Sequence, residues 1–154
     1  ETTPAIDLAQ EVLGAVASRA REHDIVLKHN FDRGAGDFSV DPEAMRSLLI
    51  NLMENALDAC RVDKKKSEHR VTFLVKGEPE HIQFEIEDNG IGMDRETREK
   101  AFSLFFSSKG TEGTGLGLFI ANNIAQAHTG SIDVESEVDR GTRFIVRIPR
   151  KRTD

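Results

Sequence analysis

Apolar residues recur along this chain at two spacings, one typical of helices and the other of strands. An apolar repeat every three or four residues predicts a first amphipathic helix, with its stripe at Ile6, Ala9, Leu13, Val16 and Ala20. Asp41-Pro42 is typical of a helix start, and this second helix is predicted to extend to about Val62. Its core stripe is predicted to be Met45, Leu48, Leu49, Leu52, Ala56, Ala59 and Cys60. The lysines at 64–66 are expected to end it in solvent.

The rest of the chain is predicted to form short strands and two further helices. Strands are predicted at 25–27, 38–40, 71–75, 82–86, 132–134 and 144–148, the last four as two hairpins. Helices are predicted over about 94–101 and 116–128, with a loop rich in Gly, Ser and Phe between them. One face of the later helix is predicted to carry Leu116, Ile120, Ile124 and Ala127.

The order of these elements favours an α+β fold. Antiparallel strands occur in groups with helices between them, which predicts one helical layer on one sheet. A doubly wound parallel sheet would require strict alternation of strand and helix, which this chain lacks. Its 154 residues suit a single domain over 1–154.

Composition and charge exclude several classes of protein. With 38% hydrophobic and 31% charged residues, the chain is typical of a soluble globular domain. The net charge of −6 disfavours a nucleic-acid partner, and no stretch approaches the roughly 20 apolar residues of a membrane span. One cysteine excludes an internal disulfide and fits a reducing, cytoplasmic setting. The opening Glu1-Thr2-Thr3-Pro4 is interpreted as a cut inside a longer protein, either soluble or membrane-anchored.

Polar residues along the second helix form the first candidate site. Asn51 and Asn55 are four residues apart, on the same border of the apolar stripe, and Asp58 follows one turn later. Their simplest role is to cap loops or to contact water. The functional alternative is the polar wall of a cleft, with amide oxygens available to a hard cation such as magnesium.

Two glycine-rich segments are further candidates. Asp88-Asn89-Gly90-Ile91-Gly92-Met93 ends a strand, either as an ordinary turn or as a place where a ligand approaches the backbone. Gly113-Thr114-Gly115-Leu116-Gly117-Leu118 opens a helix, either as a flexible entry or as a phosphate site. The second segment does not match the dinucleotide fingerprint, and no P-loop motif occurs. Before it, three Phe and Ser107-Ser108-Lys109-Gly110 have the composition of a lid.

Taken in order, these segments resemble the motifs of sensor histidine kinases. Residues 51–59 resemble the N box, 88–93 the first glycine box, 101–109 the F box and 113–118 the second glycine box. Residues 140–144 and Ile148-Pro149 are similar to the last strand pair. The resemblance is to the catalytic ATP-binding domain of these kinases, within the GHKL group, and looks closest to the nitrogen-regulation type. It implies a two-layer sandwich: a mixed, mostly antiparallel sheet, about three helices on one face, and a mobile ATP lid.

The resemblance also implies roles for individual residues. Asn55 would hold Mg²⁺, Asn51 would line the same wall, and Asp88 would receive the adenine amino group, helped by Gly92 and by Thr142 through water. Backbone amides at 115–117 would hold the phosphates, and Lys109 with Ser107 or Ser108 would reach the γ-phosphate. The implied catalytic residues are Asn51, Asn55 and Lys109. The implied ATP contacts are Asn51, Asn55, Asp58, Asp88, Gly90, Gly92, Met93, Ser107, Ser108, Lys109, Gly113, Gly115, Leu116, Gly117, Leu118 and Thr142.

Two departures from the family pattern concern catalysis. Asp58-Ala59 stands where many histidine kinases have Lys-Tyr, so a lysine contact to phosphate from there is not expected. Asn51 stands where GHKL ATPases have a catalytic Glu, and Glu54 points in a different direction along the helix. Without that base we expect slow ATP hydrolysis.

None of the five histidines fits the family's phosphoacceptor pattern. His23 is interpreted as a helix-end residue, and His29, His69, His81 and His128 as surface or loop residues. The acceptor histidine is therefore expected on a separate dimerisation domain upstream of Glu1. That arrangement implies a monomeric domain in a homodimeric parent, with a response regulator as the downstream partner.

The leading functional hypothesis is a histidine kinase domain that binds Mg-ATP and donates the γ-phosphoryl group to that histidine. One alternative is a GHKL serine kinase of the anti-sigma type. The other is a nucleotide-dependent binding module that has lost phosphotransfer.

Overall fold

The computed structural model describes residues 1–102 and 117–151 as one sheet with a helical layer and a small two-stranded ribbon. The helices are α1 Ala5–Glu22, α2 Pro42–Val62, α3 Arg95–Lys100 and α4 Gly117–Ala127. The strands are β1 Thr2–Pro4, β2 Ile25–Phe31, β3 Asp37–Ser39, β4 His69–Gly77, β5 His81–Asp88, β6 Ser131–Glu137 and β7 Gly141–Pro149. No helix among these described residues is long and apolar enough to cross a membrane.

The main sheet has five strands in the order β2-β4-β5-β7-β6. Strands β2 and β4 are parallel, and the other three neighbouring pairs are antiparallel. The two predicted hairpins and the mixed, mostly antiparallel sheet are therefore confirmed. The two short strands predicted near 25–27 and 38–40 lie in different sheets, because β3 pairs with β1, a strand that the sequence patterns did not predict.

Helix α2 supplies the centre of the hydrophobic core. Its N-cap Asp41 accepts hydrogen bonds from the backbone N–H groups of Glu43 at 3.1 Å and Ala44 at 3.2 Å, which confirms the predicted start. All seven residues of the predicted stripe are buried. They pack on the same side of the sheet as the fully buried rings of Phe73, Phe84 and Phe144. Each such ring contributes about 1.5–3 kcal/mol of burial free energy, so the sheet and α2 stabilise one another.

The predicted apolar face of α4 is wrong in part, although Ile124 packs against the core as predicted. Ala121 and Ala125 are fully buried, whereas Ile120 is 40% exposed. Ala127 is also exposed, and Leu116 lies outside the described residues. Apolar residues occur around most of this helix, so periodicity alone did not identify the inner face. Packing against α2 selects the small alanines, which let the two helices approach closely.

The interpretation of His128 as a surface or loop residue is also wrong, whereas His23 is the C-cap of α1 as predicted. His128 is only 4% exposed. Its Nε2 accepts the backbone N–H of Asp41 at 3.1 Å, so Nδ1 carries the proton and donates to the Ile124 carbonyl at 2.9 Å. This ring joins the end of α4 to the start of α2.

The sheet face opposite the helices carries a network of charged side chains around Glu85. Although it is on this face, Glu85 is only 2% exposed. Its carboxylate accepts from Arg143 at 2.6 Å, Gln83 at 2.7 Å and Lys76 at 2.9 Å. Burial opposes ionisation, but the hydrogen bonds from Lys76, Arg143 and Gln83 outweigh it and lower the pKa of Glu85 to about 2. The charged form therefore stabilises the fold.

We expect Glu85→Gln to lower the free energy of unfolding at pH 7 by about 1–3 kcal/mol, because it removes a buried charged acceptor. The pKa of Glu85 falls from 4.5 to about 2 on folding. Its contribution is thus present above pH 4.5 and is lost as the pH falls toward 2. Urea unfolding at pH 7 and pH 3 measures the free energy of unfolding, and the difference between Glu85→Gln and the wild type should be smaller at pH 3. Glu135→Gln, which alters an exposed partner of Arg143, is the control. Equal deficits for the two variants would contradict the prediction.

Candidate functional site

Asp88 lies at the end of β5 with a carboxylate that is only half satisfied. The residue is 4% exposed, and its Oδ1 accepts the backbone N–H of Gly90 at 2.8 Å. Its Oδ2 is buried and has no hydrogen-bond partner among the described residues. Desolvation raises the pKa of Asp88 to about 7, partly opposed by the backbone N–H groups of Gly90 and Thr142. A buried acceptor of this kind is suited to a ligand that brings its own N–H donor.

The glycine loop, residues 88–93, is packed between α2 and the β6–β7 turn. A Cβ on Gly90 would overlap the carbonyl of Ala59, and the neighbouring Ile91 N–H donates to that same carbonyl at 3.1 Å. Gly92 has a φ of +68°, and a Cβ there would overlap the carbonyl of Glu137. Both glycines are therefore required by contacts within the protein. Their contact with a ligand stays a prediction.

Ser136 and Asn89 hold the glycine loop, and the sequence patterns gave neither a role. The Ser136 hydroxyl accepts the Met93 N–H at 2.8 Å and lies 2.8 Å from the Thr142 hydroxyl. The Asn89 side chain accepts from Arg70 N–H at 2.8 Å and donates to the Glu68 carbonyl at 3.0 Å. Ser136 was detectable as a polar residue at an inward position of the alternating strand β6.

Thr142 lies directly beside Asp88 in the sheet. The two residues are paired in the β5–β7 register, and Thr142 is 5% exposed. A cavity of about 490 Å³ opens at this end of the sheet, and its lining includes Asp88, Thr142, Ser136 and Arg98 together with charged residues of the opposite sheet face such as Glu135 and Arg143. The predicted site residues Asn51, Asn55, Gly90, Gly92 and Met93 do not line it. The structure thus brings the predicted Asp88 and Thr142 together at a cavity large enough for part of a small molecule.

The predicted amide wall of α2 adjoins the start of α4. A Cβ on Gly117, the first residue of α4, would lie 3.9 Å from the Asn51 amide oxygen. Asn55 follows Asn51 by one helical turn and is half-buried. Asp58 lies about one further turn along the helix. Its Oδ1 is 3.7 Å from Nη2 of Arg61, in a half-exposed ion pair. Asn51 of α2 therefore lies beside the first turn of α4.

The Glu54 side chain faces helix α1. Its carboxylate pairs with Arg19 of α1, and a second ion pair between the two helices joins Glu11 to Arg46 at 2.7 Å. Glu54 thus points toward α1, and its not standing in for a catalytic base stays an expectation. The slow hydrolysis predicted on that ground stays a prediction.

Several predicted site residues lie outside the described residues. These are Ser107, Ser108, Lys109, Gly113, Gly115 and Leu116, together with the predicted mobile lid. Gly117 and Leu118 are described, as the half-buried first residues of α4. Phe102 is described and packs against Phe144, with ring centroids 6.3 Å apart.

The expectation that the lysines at 64–66 end α2 in solvent is wrong for Lys66. Its side chain is only 26% exposed, and Nζ donates to Asp63 and to the Gly90 carbonyl, each at 3.2 Å. The physical reason is Asp63, whose buried carboxylate turns the chain back toward the glycine loop. Lys66 is therefore a further residue of the site that sequence analysis missed.

The chain matches one protein family over most of its length. Residues 40–152 match the model of the histidine kinase-, DNA gyrase B- and HSP90-like ATPases. A probable C4-dicarboxylate sensor kinase of Halalkalibacterium halodurans is 39% identical over 152 residues, which cover 94% of this chain and 27% of that protein. The chain thus spans about a quarter of the length of that curated relative. The relative's name does not specify the nitrogen-regulation type, and that finer resemblance stays a prediction.

Solved structures of the same class have the same fold. The catalytic domain of histidine kinase ThkA superposes with a TM-score of 0.84 at 26% identity, over 98% of this chain and 95% of that one. ThkA solved in complex with the response regulator TrrA superposes with a TM-score of 0.79 at 23% identity, over 97% of this chain and 41% of that one. The chain belongs to the histidine kinase-, DNA gyrase B- and HSP90-like ATPase family, as a catalytic domain of the sensor histidine kinase type.

Proposed function

We propose that this domain binds Mg-ATP and donates the γ-phosphoryl group to a histidine on a separate dimerisation domain. The observation that carries the proposal is the buried Oδ2 of Asp88 at the glycine loop, which has no hydrogen-bond partner in the described part of the chain. Family membership supports the phosphotransfer, because the relatives named above are sensor kinases.

Recognition of adenine follows from the chemistry of Asp88. Its free carboxylate oxygen accepts the exocyclic amine of adenine, while Gly90 N–H holds the other oxygen. Guanine carries a carbonyl at the corresponding position, which would place two acceptors face to face in a buried site. Asp88 therefore selects for adenine, with Gly92, Met93 and Thr142 around the base.

Recognition of the phosphates is assigned to α2 and α4. Amide oxygens of Asn55 and Asn51 suit Mg²⁺, which prefers hard oxygen ligands, and bound Mg²⁺ would supply neutralisation of the phosphate charge. The N-terminus of α4 at Gly117 offers backbone N–H groups and a favourable dipole. Gly113, Gly115, Leu116, Ser107, Ser108 and Lys109 are proposed to complete this end of the site. Catalysis then consists mainly of positioning.

The proposal also covers the setting of the domain. We propose a monomeric, cytoplasmic domain of a homodimeric parent that bears the acceptor histidine, with a response regulator downstream and no nucleic-acid partner. The sensor kinase relative and the solved complex of ThkA with the response regulator TrrA support this two-component setting. The overall charge of −6 agrees with the absence of a nucleic-acid partner.

Calorimetric titration with ATP, with and without Mg²⁺, tests the first half of the proposal. We expect Mg²⁺-dependent binding. Asn55→Ala should weaken this binding by about tenfold, because the substitution removes one proposed metal ligand together with the neighbouring contacts that this ligand orients. Asn123→Ala, on the exposed side of α4, is the matched control and should bind like the wild type. No binding by the folded wild-type domain would overturn the proposal.

Incubation with γ-labelled ATP and a purified acceptor domain tests the second half. Transfer to histidine should give a label that is lost in acid, because the phosphoramidate bond hydrolyses there. An acid-stable label would instead identify a serine kinase. Tight ATP binding without transfer to any acceptor would identify a nucleotide-dependent binding module.

A further inference from the structure

The segment that follows α2 folds back over the glycine loop. Asp63, with a side chain only 1% exposed, accepts the backbone N–H groups of Lys65 at 3.2 Å and Lys66 at 3.3 Å. His69 Nε2 lies 2.7 Å from the same carboxylate, and these bonds hold the pKa of Asp63 well below its usual range. A charged, buried Asp63 therefore fixes the direction in which Lys66 leaves the turn.

Lys66 reaches Asp88 through one intervening residue. Its Nζ donates to the Gly90 carbonyl at 3.2 Å, while the Gly90 N–H donates to Asp88 Oδ1 at 2.8 Å. Gly90 is thus held on both sides, by Lys66 at its carbonyl and by Asp88 at its amide. The hydrogen bond from the charged Lys66 ammonium group to the Gly90 carbonyl is of the charge-assisted kind, which is about twice as strong as a bond between neutral groups.

The charge of Lys66 also acts on Asp88. Desolvation and the charge of Glu87 raise the pKa of Asp88, whereas the backbone N–H groups of Gly90 and Thr142 and, after them, the charge of Lys66 lower it. Other titratable groups near the two residues include Cys60 on α2, whose pKa burial raises to about 12, Asp63 with its partner His69, and Arg98, which lines the same cavity as Asp88. Lys66 is thus a cation near Asp88 whose charge favours the ionised carboxylate.

We propose that Lys66 is a positioning residue of the nucleotide site, which fixes the Gly90 carbonyl and through it the orientation of the Asp88 carboxylate. This inference rests on the proposed binding of ATP. The structure places Lys66 Nζ in contact with Asp63 and the Gly90 carbonyl, so its proposed effect reaches the ligand through Gly90 and Asp88. Its neighbour Lys65 makes a contrasting contact, an exposed ion pair with Asp139 at 2.8 Å.

The test measures ATP affinity by calorimetry for Lys66→Met, Lys66→Arg and the control Lys65→Met at pH 6, 7 and 8.5. We expect Lys66→Met to weaken binding about fivefold to tenfold at pH 7, since one charge-assisted hydrogen bond is lost. The difference in affinity should be smaller at pH 8.5, because the loss of Lys66 raises the pKa of Asp88 from about 7 and so leaves more of it protonated at pH 7 than at pH 8.5. Lys66→Arg should restore most of the affinity, and Lys65→Met should stay within about twofold of the wild type because exposed ion pairs contribute little.

Amide hydrogen exchange without nucleotide provides a second measurement. Exchange at 90–93 should be faster in Lys66→Met than in Lys65→Met, since only the first variant releases the Gly90 carbonyl. Equal affinity and equal exchange for the two variants, in a domain whose wild type binds ATP, would overturn this inference and leave the proposed function intact. Failure of the wild type to bind ATP would overturn both.

Discussion

Asp88→Asn is expected to abolish detectable ATP binding while making the domain more stable at pH 8. The loss of binding follows from Oδ2, which has no partner among residues 1–102 and 117–151, because an amide nitrogen at that position would face the adenine amine donor to donor. A site that depends on one buried hydrogen bond binds a mismatched partner about 10⁴-fold more weakly. Calorimetric titration with Mg-ATP measures this loss.

The gain in stability follows from the burial of the same carboxylate. Folding raises the pKa of Asp88 from 3.8 to about 7. The stability contributed by the protonated group is therefore fully present below pH 3.8 and is lost as the pH rises through 7. A rise of this size in the pKa of Asp88 lowers the free energy of unfolding by at most about 4 kcal/mol at high pH. Asparagine has no charge to bury, so it escapes this cost while its oxygen still accepts from Gly90.

Urea unfolding at pH 5, 7 and 8 checks the stability of this variant. The advantage of Asp88→Asn over the wild type should grow between pH 5 and pH 7 and then level off. The control is Asp133→Asn, which removes an exposed carboxylate paired with Arg147 at 2.7 Å and should change little at any pH. A variant that is both unstable and unable to bind would show that Asp88 has a structural role instead.

The elements that the sequence predicted correctly are those specified by local signals. The cap at Asp41, the apolar stripe of α2 and the alternating strands each depend on residues close in the chain, so pattern and propensity suffice. The glycine-rich motif at Asp88 was also detectable, because its two glycines directly follow an alternating strand and all of these residues are neighbours in the chain.

The contacts that sequence analysis missed join distant segments. His128 reaches Asp41 across 87 residues, Ser136 reaches Met93 across 43, and Lys66 reaches Gly90 across 24. Each is an ordinary polar residue whose role depends on which strand or helix is packed beside it. The inner face of α4 was missed for the same reason, since packing on α2 and not periodicity selects Ala121 and Ala125.

Gly90→Ala is expected to lower the free energy of unfolding by about 2–4 kcal/mol, as overpacking against rigid backbone does. The added methyl group would overlap the carbonyl of Ala59 in α2, which cannot rotate away as a side chain can. The glycine loop would have to move outward, which would stretch the bonds from Ile91 to Ala59 and from Gly90 to Asp88. ATP affinity should therefore fall together with stability.

Gly14→Ala is the matched control, because the same substitution there should raise the free energy of unfolding instead of lowering it. Gly14 lies inside α1, is exposed, and has no neighbour within 4 Å of an added Cβ. Alanine in an exposed helix interior stabilises by about 0.5–1 kcal/mol relative to glycine. Urea unfolding of both variants at pH 7 provides the comparison. If Gly90→Ala were as stable as Gly14→Ala, the contact between the glycine loop and α2 would be looser than the structure shows. The position of Asp88 would then depend on Lys66 and Ser136 more than on α2.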